Sequence, residues 1–221
     1  MNQKNPAYGR RPRLLQAMLR VMLMTIALAA VPARAADRLI LAFGDSLTAG
    51  YGLAPAQAFP NRLEAALRAS GVPARVYNAG VSGDTTAAGR ARLAWVLRGL
   101  KAKPDLAIIE LGANDMLRGI QPAQTRANLD AVVGDLRRRG IPVLIAGMRA
   151  APNMGRPYAA AFEPIFPALA RKYRAPLYPF FLDGVAGNRA LLQGDGMHPN
   201  PRGVAIVVRR ILPAVRAALP R

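Results

Sequence analysis

The sequence predicts an α/β protein, a three-layer α/β/α sandwich with a central parallel sheet of about five strands. Two patterns predict it. Short apolar runs alternate with helical apolar periodicity about five times, and the runs are near-continuously apolar rather than apolar at every second residue. Alternating strands and helices build parallel sheets through right-handed crossovers, and strands buried on both faces read as continuous apolar segments.

In chain order, residues 39–43, 75–77, 106–111, 143–148 and 176–178 read as strands. Between them, Leu93, Val96, Leu97 and Leu100 follow the i, i+3, i+4, i+7 spacing of one helical face, as do Leu129, Val132, Val133 and Leu136. Trp95, among apolar neighbours, is expected in or near the core. The helix bearing Leu129 ends in Arg137-Arg138-Arg139 before Gly140, where cations suit the negative end of the helix dipole. A last helix carries Val208, Ile211, Leu212 and Val215 on one side and is expected to bend at Pro213.

The first 35 residues differ in kind. They hold six basic side chains and no acid, with an apolar stretch at 21–31 ahead of the small-residue site Ala33-Arg34-Ala35. A basic head, an apolar run shorter than the ~20 residues of a bilayer crossing and a small-residue site describe a secretory signal. Cleavage is expected near Ala35-Ala36. It would divide the chain into a signal peptide at 1–35 and one domain at 36–221, and put the mature protein in the periplasm or outside the cell. That domain holds 25 basic and 12 acidic residues, a formal +13, and fits the ~100 to 200 residues of a single domain.

With no Cys there is no disulfide framework, thiol nucleophile or thiolate metal site, and a single His argues against a His-rich zinc site. The domain's cations are 22 Arg and 3 Lys, scattered through Ala-rich helices. This distribution describes a solvated basic surface rather than a nucleic-acid tract, with transient attraction to anionic lipid head groups as the alternative. No heptad or obligate partner is suggested, so a monomer is expected.

Ligands of open parallel sheets sit beyond the carboxyl ends of the strands. Four polar, Gly-rich segments lie there or before the last helix: 44–52 (GDSLTAGYG), 78–86 (NAGVSGDTT), 110–115 (ELGAND) and 194–200 (GDGMHPN). Roles follow by elimination. A nucleophilic Ser needs a base, and His198 is the only imidazole, three residues after Asp195. On a tight turn that spacing lets the carboxylate hold one ring nitrogen while the other faces substrate.

The domain's serines are Ser46, Ser70 and Ser82. Ser70, before Gly71, reads as a helix-terminal residue on the opposite rim. Ser82 is the rival. Ser46 is preferred because it follows a buried strand and opens a turn, where a strand-to-helix bend projects a hydroxyl above the sheet; the Gly-x-Ser-x-Gly elbow is absent. Oxyanion donors can come from the backbone N–H groups of Ser46 and Gly83 and from the Asn114 amide. Taken singly, Gly83 reads as a turn glycine and Asn114 as an Asx turn. Asp45 reads as tying its turn to nearby amides, with placement of His198 as the alternative. Asp84-Thr85-Thr86 reads as the cap of the next helix. Tyr178, Phe180 and Phe181 read as core, with the wall of an acyl cleft as the alternative.

Ser46 in Gly-Asp-Ser-Leu, Gly83 in Ser-Gly-Asp, Asn114 in Gly-Ala-Asn-Asp and Asp195-Gly-Met-His198 together resemble the four blocks of the SGNH, or GDSL, hydrolases. The similarity is strongest to a secreted bacterial group of thioesterases, lysophospholipases and arylesterases, and it runs over residues 39–203. Further matches lie at 117–122 and at 153–156, a loop that in this group lies over the acyl-binding cleft. The resemblance implies the flavodoxin-like SGNH hydrolase fold, with Ser46 as nucleophile, His198 as base, Asp195 as its partner, and Ser46, Gly83 and Asn114 as the oxyanion hole. Ala113 departs from that group, which often has a second Gly there, and its methyl is expected to narrow the cleft or shift chain-length preference.

The implied reaction is hydrolysis of a small-molecule carboxylic ester or thioester, such as an aryl ester, an acyl thioester or a lysophospholipid. It proceeds through an acyl-enzyme on Ser46, with no metal and no organic cofactor. A carbohydrate O-deacetylase or an acyltransferase with the same triad, and a non-catalytic lipid-binding protein, are the alternatives. An imidazole must be neutral to take a proton, so activity is expected to rise with pH through the range where imidazoles ordinarily discharge, ~6.5.

Overall fold

The computed structural model describes residues 37–220, and the signal expected at 1–35 lies outside them. The elements are β1 (Arg38–Gly44), α1 (Ser46–Ala49), α2 (Phe59–Ala69), β2 (Ala74–Gly80), α3 (Thr86–Gly99), β3 (Leu106–Glu110), α4 (Ala113–Leu117), α5 (Pro122–Arg138), β4 (Val143–Ala146), α6 (Arg156–Phe162), α7 (Ile165–Tyr173), β5 (Leu177–Tyr178) and α8 (Pro201–Ala218).

All five expected strands are present, paired in parallel in the order β2-β1-β3-β4-β5. β3 and β4 are buried along their whole length and β1 along most of it, which is why they read as unbroken apolar runs. β2 is longer than the run read at 75–77. As an edge strand it exposes Arg75, Tyr77 and Asn78, so polar residues belong to it as well. On one face α2 packs against α8; on the other, α5 lies between α3 and α7. The three layers are those expected.

Helix boundaries follow local chemistry. Ser70 caps the end of α2, its hydroxyl donating to the Leu67 carbonyl at 2.8 Å. α5 ends with Arg137 and Arg138 in its last turn, and Gly140 takes φ +66° beyond it. Asn200 caps α8, which runs unbroken through Pro213 and buries Val208, Ile211 and Val215.

Two expectations are corrected. Trp95 is 69% exposed. Leu93 and Val96 take the inward stripe of α3, and a residue two places from Leu93 lies about 200° around a helix of 3.6 residues per turn, on the outer side. The cap of α3 is Thr85, whose Oγ1 accepts from Ala88 N–H at 3.3 Å, while Asp115 accepts from Thr86 N–H at 2.7 Å. Asp84 is not part of this cap because Arg92 engages it.

The strand order means that the chain leaves β1 to one side and returns past it to β3, opening a crevice between their carboxyl ends. α1 fills that point closely. A Cβ on Gly44 would overlap Thr48 Oγ1 and Glu110, and one on Gly80 would overlap the main chain of Thr48 and Ala49. Gly44→Ala is therefore expected to cost about 1–3 kcal/mol through overpacking, read as a lower urea midpoint at unchanged slope.

Candidate active site

At the switch point the chain turns from β1 straight into α1. Asp45 caps this single turn, its Oδ1 accepting from Leu47 N–H at 3.0 Å, and Gly50 closes it at φ +83°. Ser46 is the first residue of the turn and lies half-buried on the rim of the sheet.

The loop before α8 brings the imidazole to this serine across 152 positions of sequence. His198 Nε2 lies 2.8 Å from Ser46 Oγ, and Nδ1 lies 2.6 Å from Asp195 Oδ2. With the Nδ1 hydrogen donated to Asp195, Nε2 is left to accept from the serine hydroxyl. Asp195 Oδ1 accepts from the N–H groups of Met197 at 2.9 Å and His198 at 3.0 Å, in a turn where Gly196 takes φ +71°. Those bonds hold the Asp195 carboxyl down at about 2.

The His-bearing loop is fastened at several points. Gln193 N–H donates to the His198 carbonyl at 2.8 Å, and Gln193 Nε2 donates to the Tyr51 and Pro199 carbonyls at 2.7 and 3.1 Å. Asn200 Nδ2 donates to the Ala190 and Leu192 carbonyls. The Tyr51 ring lies 4.6 Å from the imidazole. Among the described residues, Ser46 is the only hydroxyl bonded to His198; Ser82 lines the same cleft without reaching it, and Ser70 is at the end of α2.

Gly83 turns at φ +84°, and among the described residues neither its N–H nor that of Ser46 has an acceptor within the protein. The Asn114 amide is different. Its Nδ2 donates to Asp45 Oδ2 at 3.2 Å and to the Asp84 carbonyl at 3.0 Å, so both hydrogens are engaged.

Ser46, Asn114 and His198 open on a cleft of about 540 Å³ whose apolar wall includes Met116, Leu117, Met148, Phe180, Leu182 and Leu192. Ala113 lines it too, and residues 149–152, immediately ahead of the expected 153–156 loop, form one side. The aromatic group divides: Phe180 faces the cleft, Phe181 is buried edge-on to Phe59, and Tyr178 is buried. A volume of this order suits a small-molecule ligand with an apolar body.

Residues 42–206 match the GDSL-like Lipase/Acylhydrolase family. The chain belongs to this family. It is 37% identical to "Esterase TesA" of Pseudomonas aeruginosa over 203 residues, 91% of this chain and 100% of that protein. It is 39% identical to "Thioesterase 1/protease 1/lysophospholipase L1" of Escherichia coli strain K12 over 168 residues, 76% of this chain and 78% of that one. Among solved structures it is similar to AlinE4, described as an SGNH-hydrolase family esterase, with 54% identity and a TM-score of 0.71, over 84% of this chain and 98% of that one.

Several residues that shape the site of this GDSL hydrolase escape a reading of sequence alone. Arg92 pairs with Asp84, donates to the Gly44 carbonyl at 2.9 Å and lies 4.2 Å over the Phe43 ring, clamping the end of β1 to the Gly83 loop. Arg118 donates to the Gly83 carbonyl at 2.8 Å. Asp115 also accepts from the Thr86 and Thr125 hydroxyls. Glu110 lies beneath the turn that bears Ser46, where its Oε2 accepts from Thr48 Oγ1 at 2.7 Å and from Asp45 N–H at 3.4 Å, and its buried Oε1 has no partner among the described residues. Of these, Glu110 and Asp115 lie in the singled-out segment 110–115, Glu110 as an acid closing an otherwise apolar strand.

Burial pushes the Asp45 carboxyl up to about 6, against the pull of Leu47 N–H, His198 and Asn114. Glu110 is driven well above the usual carboxylate range, first by burial and then by the charge of Asp45. A carboxyl whose pKa is higher folded than unfolded binds more protons in the native state, so its contribution to stability is greatest below the unfolded value of 3.8 and falls as pH rises through about 6. Asp45→Asn is expected to reduce this loss, seen as a flatter dependence of the urea midpoint on pH between 4 and 6.

Proposed function

We propose that this GDSL hydrolase is an exported serine esterase that cleaves carboxylic esters and thioesters of apolar acyl groups through an acyl-enzyme on Ser46. The observation that carries this reading is the Asp195–His198–Ser46 chain of contacts, 2.6 and 2.8 Å long, at the mouth of the apolar cleft. Ser46 Oγ attacks the carbonyl carbon as its proton passes to His198 Nε2, and Asp195 holds the ring in the accepting tautomer and balances its charge. His198 then protonates the leaving alcohol or thiol. Water, deprotonated by the same imidazole, hydrolyses the acyl-enzyme.

The oxyanion formed in each half-reaction is taken by the N–H groups of Ser46 and Gly83, whose lack of internal acceptors suits them to it. Asn114 is the third donor. Its longer bond, 3.2 Å to Asp45, is the one an oxyanion would replace. The fine specificity remains that of the acyl group, because the cleft is apolar while the donors act only on the carbonyl. The names of the relatives, an esterase and a thioesterase and lysophospholipase, support both oxygen and sulfur leaving groups. The leader read at 1–35 supports a mature domain in the periplasm or outside the cell, and a site complete within one chain favours a monomer.

Ser46→Ala is expected to lower kcat by ~10⁴ to 10⁶ and to abolish labelling by a fluorophosphonate, whereas Ser82→Ala keeps both. The reverse pattern would transfer the nucleophile to Ser82. Asn114→Ala is expected to lower kcat by ~10² to 10³ with KM nearly unchanged, as for loss of one oxyanion donor. A raised KM at unchanged kcat would make the amide a substrate contact instead.

A further inference from the structure

Six large apolar side chains stand exposed among the described residues, and four belong to the segments around the cleft: Tyr51 at 53%, Val81 at 44%, Leu117 at 54% and Met197 at 49%. Tyr51, Val81 and Met197 come from the segments that bear Ser46, Gly83 and His198, and Leu117 ends α4, which bears Asn114. Tyr51, Leu117 and Met197 line the cleft itself, and Val81 is next to Ser82, which does. Monomeric soluble proteins rarely gather exposed apolar side chains around one opening without a partner for them.

Cations flank the same opening: Arg149 lines the cleft, Arg118 donates to the Gly83 carbonyl, and Arg156 and Arg189 follow the lining residues Pro152 and Gly187 by four and two positions. All four are exposed, and among the described residues none is within salt-bridge distance of a carboxylate. The acids at this end are occupied: Asp195 with His198, Asp84 with Arg92 and Asp183 with Arg210, while Asp45 and Asp115 are buried. Glu163 remains, bonded to Ala150 N–H.

We propose that this rim docks the domain on an anionic phospholipid surface, with Tyr51, Val81, Leu117 and Met197 entering the head-group boundary and the arginines on lipid phosphates. The cleft mouth then faces the lipid. Charge alone does not choose this face, because Arg137, Arg171 and Arg174 are exposed at the other end of the molecule, where α5 and α7 terminate. The exposed apolar residues choose it: four of the six gather at the cleft, whereas Tyr77 lies on the edge strand β2 and Trp95 on the outer side of α3, away from the cleft mouth. Docking itself does not depend on the esterase reading, although what it delivers to Ser46 does.

The test is co-sedimentation of residues 36–221 with large unilamellar vesicles of phosphatidylcholine, with and without phosphatidylglycerol. This piece is suited to it because the core lies within the described residues and the match to AlinE4 covers 98% of that chain. Each cation near an anionic surface is worth about fivefold in binding. The rim pair Arg156→Glu with Arg189→Glu should therefore lose binding to the phosphatidylglycerol vesicles by about 25-fold or more. The opposite-end pair Arg137→Glu with Arg171→Glu, of equal charge change, should stay within about twofold of wild type, as an oriented dock requires. Val81→Ser with Leu117→Ser, checked for folding by circular dichroism, should also bind more weakly.

Equal losses in the two charge pairs would overturn the proposal in favour of unoriented attraction. So would wild-type binding by the apolar pair, no binding by the wild type, or binding that ignores phosphatidylglycerol. Hydrolysis of soluble 4-nitrophenyl acetate, expected unchanged in Arg156→Glu with Arg189→Glu, separates the two readings. Vesicle binding without any hydrolysis by the wild type would sink the esterase reading and leave the docking face standing.

Discussion

The carboxyl end of β1 leaves no volume for a side chain at Gly44, nor does the end of β2 at Gly80, because the single turn of α1 occupies that space. This close approach holds Ser46 directly over the switch point, between loops that follow β2 and β3. A longer turn or a lifted one would move the hydroxyl away from an imidazole whose loop before α8 is held by Gln193, Asn200 and Asp195, with Gln193 also tying that loop to Tyr51 beyond α1. Two supports distant in sequence meet at the 2.8 Å contact of Ser46 with His198 and at the Gln193 to Tyr51 bond, so the precision of the site comes from packing under Ser46 as much as from the residues that touch it.

What was legible in the sequence follows from the range of the forces involved. β1, β3 and β4 were readable because burial on both faces leaves a local apolar record; β2, half-exposed at the edge, was readable only in its middle. Ser46, Asp195 and His198 could be paired because the chain offers one imidazole and few serines, and because the Asp195 to His198 contact is itself local. Arg118 and Glu110 bond to groups 35 and 65 positions away, and no local pattern announces such partners. Trp95 misled for the opposite reason: its neighbours are apolar, but helical geometry turns it outward. Asp84 misled because a capping sequence does not reveal that Arg92, two turns on, competes for the carboxylate.

The Asn114 amide illustrates how such long-range bonds shape a site. An amide free in the cleft would rotate and would lose that freedom on meeting an oxyanion. Here the bond to the Asp84 carbonyl fixes its plane, and Asp84 is in turn held by Arg92, so the orientation is settled before substrate arrives. The bond to Asp45 is the exchangeable one. Its acceptor is a carboxyl that burial already pushes toward the neutral form, which makes it a weaker competitor for the amide than a full carboxylate would be.

Two carboxyl groups flank Ser46, and their surroundings drive them apart. Asp195 is in a solvent-exposed turn with two backbone N–H groups on one oxygen, and it stays ionised down to about 2. Asp45 is enclosed beneath the turn, close to Glu110, and rises to about 6. In the proposed mechanism the carboxylate beside the imidazolium has to keep its charge, and Asp195 keeps it well below pH 6, where Asp45 begins to lose its own. The buried one serves through its hydrogen bonds, which survive a change of protonation better than a charge does. Exchanging the two environments would leave the sequence motif intact but let the carboxyl beside His198 take up a proton as pH falls toward about 6, so the difference between the two groups lies in burial and not in residue type.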